Sequence, residues 1–166
     1  MAFAPGLAVM SAAELVALFQ AKGLTLATAE SCTGGLIAAA LTAVPGSSAV
    51  FTHGFVSYAN EAKTEMLDVP ESMLAAHGAV SEQVARRMAQ GARAKARSDF
   101  AISVTGIAGP GGGSADKPVG TVWFGLAGPR GSKTYHRLFA GARDDIRTQA
   151  VNFALSRLLE EGDINS

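Results

Sequence analysis

The sequence predicts an α/β fold, a three-layer α/β/α sandwich around a mainly parallel, mixed sheet, and three observations carry that prediction. Strand-forming runs alternate with helix-forming ones over the first two thirds of the chain, the pattern of a sheet covered by helices on both faces. Phe100-Ala101-Ile102-Ser103-Val104 is a short apolar run ending in Thr105-Gly106, the profile of a central strand buried on both sides. Late in the chain two strand-like runs flank Gly128-Pro129-Arg130-Gly131, a hairpin-sized connection that adds an antiparallel pairing.

The elements follow in order. Ser11 with Glu14 makes a capping-box pattern, and Leu15, Leu18 and Phe19 share a face, so residues 11–22 are expected to be a helix closed by Gly23, with residues 1–10 as an arm. A strand is expected over Leu24–Ala29. Glu30-Ser31-Cys32-Thr33-Gly34-Gly35 interrupts it, and a helix begins at Leu36 and stops at Pro45-Gly46. Residues 50–58 carry strand formers, and Asn60 is the expected N-cap of a short helix through Lys63 and Met66. Ser81-Glu82 opens a helix to about Ala96. After the central strand comes a Gly/Pro-rich loop, 106–118, long enough to suggest function. Strands over 119–126 and 134–139 and a closing helix over 143–160 complete the chain.

Composition narrows the function. The chain has 166 residues, 48% hydrophobic and 17% charged, which suits one domain with a proper core and excludes disorder. Fourteen basic and fourteen acidic residues cancel, and no basic stripe offers a nucleic-acid surface. No apolar run approaches a membrane span, and the apolar start lacks the basic flank of a signal peptide. One cysteine, Cys32, makes no internal disulfide, so a reducing compartment, the cytoplasm, is expected. No cluster has metal-ligand spacing.

Ligands of open α/β sheets gather beyond the carboxyl ends of the strands, so the residues there come first. Ser31 stands between a strand and a helix start, where a nucleophile and free helix N–H groups would coincide; the plainer reading makes Ser31 or Thr33 an N-cap. None of His53, His77 and His136 has a spacing that singles it out as the base of a triad, and no Gly-x-Ser-x-Gly or Ser-x-x-Lys motif contains Ser31. Lys63 is the candidate base. One βαβ step separates it from Ser31, and a helix N-terminus favours the neutral amine, although the same spacing fits an ordinary surface lysine. Thr105, Gly106 and the loop after them suit a phosphate or a flat ring, without matching a nucleoside-triphosphate loop. Arg143 and Arg147, four apart at the last helix's start, suit a phosphate monoester or ion pairs with Asp144 and Asp145.

These segments together resemble the CinA C-terminal domain family, whose characterised members are nicotinamide mononucleotide amidases. The resemblance runs through Thr28–Gly35, Phe55–Lys63, His77–Ser81, Val104–Pro110 and Lys117–Val122, and covers roughly residues 11–160. Ala142 departs from the family's usual aspartate. The family carries a serine–lysine dyad in the blocks where Ser31 and Lys63 stand, a similar three-layer fold, and a stand-alone form that this chain matches in length.

The resemblance implies an amidohydrolase that converts nicotinamide mononucleotide to nicotinic acid mononucleotide and ammonia through an acyl-enzyme on Ser31, with Lys63 as the base and no cofactor. Cys32, Thr33 and Gly34 are then the expected source of oxyanion donors, and Tyr58, Thr105, Gly106, Arg143 and Arg147 the expected contacts to ring, ribose and phosphate. The partner is a small nucleotide, with neither nucleic acid nor membrane, and a homo-oligomer is among the assemblies allowed. On the residues alone, a non-catalytic nucleotide-binding module and a serine–lysine amidase or esterase for another substrate stay open.

Overall fold

Side-chain alternation along the strands decides which helices cover which face. The computed structural model describes the backbone of residues 5–164 and the side chains of 11–164. In chain order the elements are α1 (Pro5–Lys22), β1 (Leu26–Glu30), α2 (Leu36–Thr42), a 3₁₀ turn (Ser47–Ala49), β2 (Phe51–Val56), α3 (Asn60–Leu67), α4 (Glu71–His77), α5 (Glu82–Ala96), β3 (Phe100–Gly106), β4 (Thr121–Gly128), β5 (Gly131–Leu138) and α6 (Arg143–Ile164). The sheet order is β2-β1-β3-β4-β5. β1 lies parallel to β2 and β3, whereas β4 is antiparallel to both β3 and β5, so β4 alone runs against the other strands. The predicted mixed α/β sheet is what forms.

One face of the sheet presents large residues: Leu26, Phe100, Ile102, Val104, Val122, Phe124 and Leu126 pack against α1, α2 and α6 through Leu15, Phe19, Ile37, Leu41, Ile146, Val151 and Leu155. The other face is lined by small ones, Ala27, Ala29 and Ala101, and receives Leu67, Leu74, Val84 and Met88 from the α3–α5 side. Small residues let α5 lie close. A Cβ at Gly125 would collide with the Ala85 carbonyl, and Ser103 Oγ, 2.5 Å away, donates to that same carbonyl while accepting from Gly125 N–H at 3.0 Å. α3 is seated on α5 in the same way, since a Cβ at Gly91 would overlap the Leu67 carbonyl. Lys63 rides on α3, so the composition of the sheet face sets its position through two helix contacts.

The structure shifts several expected boundaries. α1 starts at Pro5, so residues 5–10 of the expected arm are helical and Ser11 lies within the helix; residues 1–4 lie outside the described residues. Proline is tolerated at a first helical position because its missing N–H has no partner there anyway. α4 has seven residues, too few for a periodicity to show. The expected cap of α3 moves by one: Ala59, extended, precedes Asn60, which is already helical. Gly128 pairs with Gly131, so the hairpin is tighter than predicted, β4 ending later than 126 and β5 starting before 134. Among the described residues no helix is long and apolar enough to cross a membrane.

Candidate active site

β2 and β3 flank β1, so the chain leaves β1 in one direction and later returns on the other, which opens a crevice at the strand ends. Backbone bonds extend the three strands into it: Ser31 N–H donates to Val104 O and Ser57 N–H to Glu30 O, each at 2.9 Å. The resulting cleft encloses about 210 Å³. Ser31, Cys32, Tyr58, Lys63, Thr105, Gly106 and Arg143 border it, joined by Asn60, Ala79, Val80 and Ala108.

Lys63 is only 1% exposed and Ser31 8%. Lys63 Nζ lies 3.0 Å from Ser31 Oγ, 2.9 Å from Ser57 O and 3.0 Å from Tyr58 O. Burial withdraws water from the ammonium and lowers the lysine to about 8. A neutral amine has two N–H donors and one lone pair. Nζ donates to two carbonyls and to the Ser31 hydroxyl, which itself donates to Tyr58 O at 3.4 Å; on losing its proton the amine keeps two donors for the carbonyls and has its lone pair free for the Ser31 proton.

Behind Ser31 the chain makes a turn held from two sides. The Glu30 carboxylate, 1% exposed, accepts from Thr33 Oγ1 at 2.6 Å, Ile37 N–H at 2.9 Å and Ala38 N–H at 3.0 Å, so it occupies the open end of α2. The opposite side is held by Arg147, whose Nε donates to Cys32 O at 3.1 Å and whose Nη2 donates to Thr33 O at 3.3 Å. Gly34 and Gly35, at φ of 58° and 104°, supply the left-handed backbone the turn needs. Cys32 is buried in the α1/α2/α6 core, and burial, then the charge of Glu30, pushes its thiol up to about 12. It is a neutral packing group near pH 7.

Residues 9–161 match the model of the CinA C-terminal domain. The chain belongs to the CinA C-terminal domain family. This CinA C-terminal domain is 54% identical over 143 residues, 86% of its own length and 87% of theirs, to proteins of Shigella flexneri and Escherichia coli K12 named nicotinamide-nucleotide amidohydrolase PncC. It is 60% identical over 141 residues to a CinA-like protein of Geobacter sulfurreducens, a match that spans 85% of this chain and 34% of that one. A crystal structure of a competence/damage inducible protein from Agrobacterium tumefaciens superimposes with a TM-score of 0.92 at 47% identity, covering 96% of this chain and 98% of the other.

Of the residues singled out in the sequence, the CinA C-terminal domain brings Ser31, Lys63, Cys32, Tyr58, Thr105, Gly106 and Arg143 to one cleft. Thr105 is buried and its hydroxyl donates to Ala79 O at 2.9 Å, pinning the 79–80 segment on the cleft wall. Gly106 lies too close to Val122 for a Cβ, which would fall 2.7 Å from Cγ2. Tyr58 is 60% exposed on the rim, and Arg143 reaches its hydroxyl at 3.3 Å while donating to Gly109 O at 2.6 Å.

Three expectations are corrected. Thr33 is fully buried against Glu30, and Gly34 N–H donates to Ser31 O at 3.0 Å, so neither borders the cleft. Arg147 does not join Arg143: one helical turn, about 5.4 Å along the axis, carries it past the cleft to the carbonyl side of the turn. Beyond the turn the N–H groups of Ile37 and Ala38 are taken by Glu30 and that of Leu36 by Thr33 O. An acidic residue placed just ahead of a glycine-rich helix start is the signal that would have found Glu30. The carbonyls of Ser57 and Tyr58 have no such signal, because every residue carries one. His53 stacks on Phe55 and His136 on Trp123, and no histidine borders the cleft.

Proposed function

We propose that this chain hydrolyses the carboxamide of nicotinamide mononucleotide to nicotinic acid mononucleotide and ammonia, with Ser31 as nucleophile and Lys63 as general base. The observation that carries the reading is the buried contact of Lys63 Nζ with Ser31 Oγ at 3.0 Å, in a chain 54% identical to proteins named for this amidohydrolase. Lys63 takes the Ser31 proton as Oγ attacks the amide carbon. The C–N bond then breaks, and Lys63 returns the proton to the leaving nitrogen, which departs as ammonia. Water adds to the ester, giving its proton to Lys63, and the acyl–oxygen bond breaks as Ser31 Oγ takes that proton back.

The backbone N–H of Cys32 is the oxyanion donor in this reading, since that of Gly34 is engaged and Thr33 is buried away from the cleft. Thr105, Gly106 and Tyr58 border the ring and ribose, and Arg143 is the phosphate contact. The route uses no metal or cofactor, and the free thiol Cys32 suits the reducing cytoplasm.

Incubation with nicotinamide mononucleotide and measurement of ammonia tests the reading. The wild type is expected to release ammonia, chelator to leave the rate unchanged, and Ser31→Ala to abolish release while still binding the nucleotide. A wild type that binds the nucleotide without releasing ammonia, or a Ser31→Ala chain that turns over normally, overturns it.

A further inference from the structure

We propose that Arg147 is a positioning residue for the reaction, holding the backbone of the Ser31–Gly34 turn so that the Cys32 N–H faces the reacting carbonyl. The inference rests on the amidase reading. Three successive carbonyls of the turn have donors on one side: Ser31 O receives Gly34 N–H at 3.0 Å, Cys32 O receives Arg147 Nε at 3.1 Å, and Thr33 O receives Arg147 Nη2 at 3.3 Å together with Leu36 N–H at 3.1 Å. Only Gly109-Pro110 is cis among the described residues, so the peptides of the turn are trans, and in a trans peptide the N–H points opposite to the C=O.

The N–H of Cys32 therefore faces away from Ser31 O and that of Thr33 away from Cys32 O. Among the described residues neither donates to another residue. Of the two, the Cys32 N–H borders the cleft, beside Ser31 where an oxyanion would form, whereas Thr33 is fully buried; the guanidinium, by holding Thr33 O, fixes the peptide whose Gly34 N–H holds Ser31 O, and that bond sets the plane carrying the Cys32 N–H. The cation on Thr33 O also polarises that amide, which strengthens the Gly34 N–H that holds Ser31 O. The planar fork of arginine reaches two successive carbonyls at once, which the single ammonium of lysine does not reproduce. Arg143, one turn earlier on α6, borders the cleft and gives its hydrogen bonds to Gly109 O and Tyr58 Oη instead.

The test compares Arg147→Gln, Arg147→Lys and Arg143→Gln on nicotinamide mononucleotide and on nicotinamide riboside, which lacks the phosphate. Rates are expressed per Ser31 titrated by a sulfonyl fluoride, so that loss of folded protein is not read as loss of turnover. Arg147→Gln is expected to lower kcat about 100-fold, the effect typical of an impaired oxyanion site, with KM within about 3-fold and the same factor lost on both substrates. Arg147→Lys should recover part of that loss. Arg143→Gln should instead act on KM, raising it by a larger factor for the mononucleotide than for the riboside.

A raised KM with unchanged kcat in Arg147→Gln, confined to the mononucleotide, would make Arg147 a phosphate ligand and overturn the proposal. Unchanged kinetics on both substrates would overturn it equally. The rate at which the sulfonyl fluoride labels Ser31 gives a readout independent of substrate, and it should fall in Arg147→Gln. A wild type that releases no ammonia fails the amidase reading alone; labelling as fast in Arg147→Gln as in the wild type fails the positioning role.

Discussion

Raising the pH from 6 to 9 should switch the enzyme on through Lys63. Its amine is placed among two carbonyls and a hydroxyl at 2.9–3.0 Å and is lowered to about 8 by burial. With that value about 9% of the chains hold the neutral base at pH 7, against about 0.03% for an ordinary lysine near 10.5, a gain of about 300-fold in competent enzyme. The rate kcat/KM is then expected to rise about tenfold per pH unit below 7, to reach half its plateau near pH 8, and to stand about tenfold higher at pH 9 than at pH 7. The cationic pyridinium of the substrate disfavours the ammonium further, so the midpoint of kcat, which reports the bound enzyme, should lie below that of kcat/KM. Initial rates of ammonia release in buffers of constant ionic strength measure both. A profile flat from pH 6.5 to 9 would refute the reasoning, as would a Lys63→Arg chain that keeps most of the rate, because a guanidinium cannot give up its proton in this range.

Three further outcomes are expected. The folded chain binds the Lys63 proton less tightly than the unfolded chain does, so its stability is lowest below pH 8 and rises between about 8 and 10.5, by about 3 kcal/mol in all; Lys63→Met should remove that rise, and an identical pH dependence of unfolding in both chains would count against it. Gly91→Ala forces a methyl into the Leu67 carbonyl and pushes α3 off α5, so urea denaturation should show a loss of about 1–3 kcal/mol, and kcat should fall because Lys63 moves with the helix. Cys32→Ala should lose about 1 kcal/mol of stability from its buried site yet keep most of its activity per folded chain, whereas selective loss of turnover there, with Ser31→Ala still active, would reverse the choice of nucleophile.

Much of the fold was legible because it depends on local periodicity. The apolar run at 100–104, the two flanking glycines of the hairpin and the strand–turn–helix around Ser31 each reflect neighbours in sequence, and so the mixed sheet and the strand-end position of the site followed. Boundaries were less legible where nearby signals compete: Ser11 reads as a cap although the helix runs through it, and α4 is shorter than two full periods. For the site, Ser31 and Lys63 were reachable because parallel strands joined by one helix bring their carboxyl ends side by side.

The directions of backbone groups were decided only in three dimensions. Arg143 and Arg147 look equivalent as residues four apart on one helix, yet the packing of α6 against the turn sends one to the cleft and the other to the Cys32 and Thr33 carbonyls. Thr33 and Gly34 read as donors beside a nucleophile, and the structure buries the first, its hydroxyl on Glu30, and gives the N–H of the second to Ser31 O. The lowered pKa of Lys63 comes from burial, which only the folded chain supplies, and the carbonyls at 57 and 58 that hold its Nζ are groups any residue would provide. Side-chain identity is written in the sequence, whereas desolvation and the aim of a peptide plane belong to the assembled chain, because both depend on which distant segments come to lie against them.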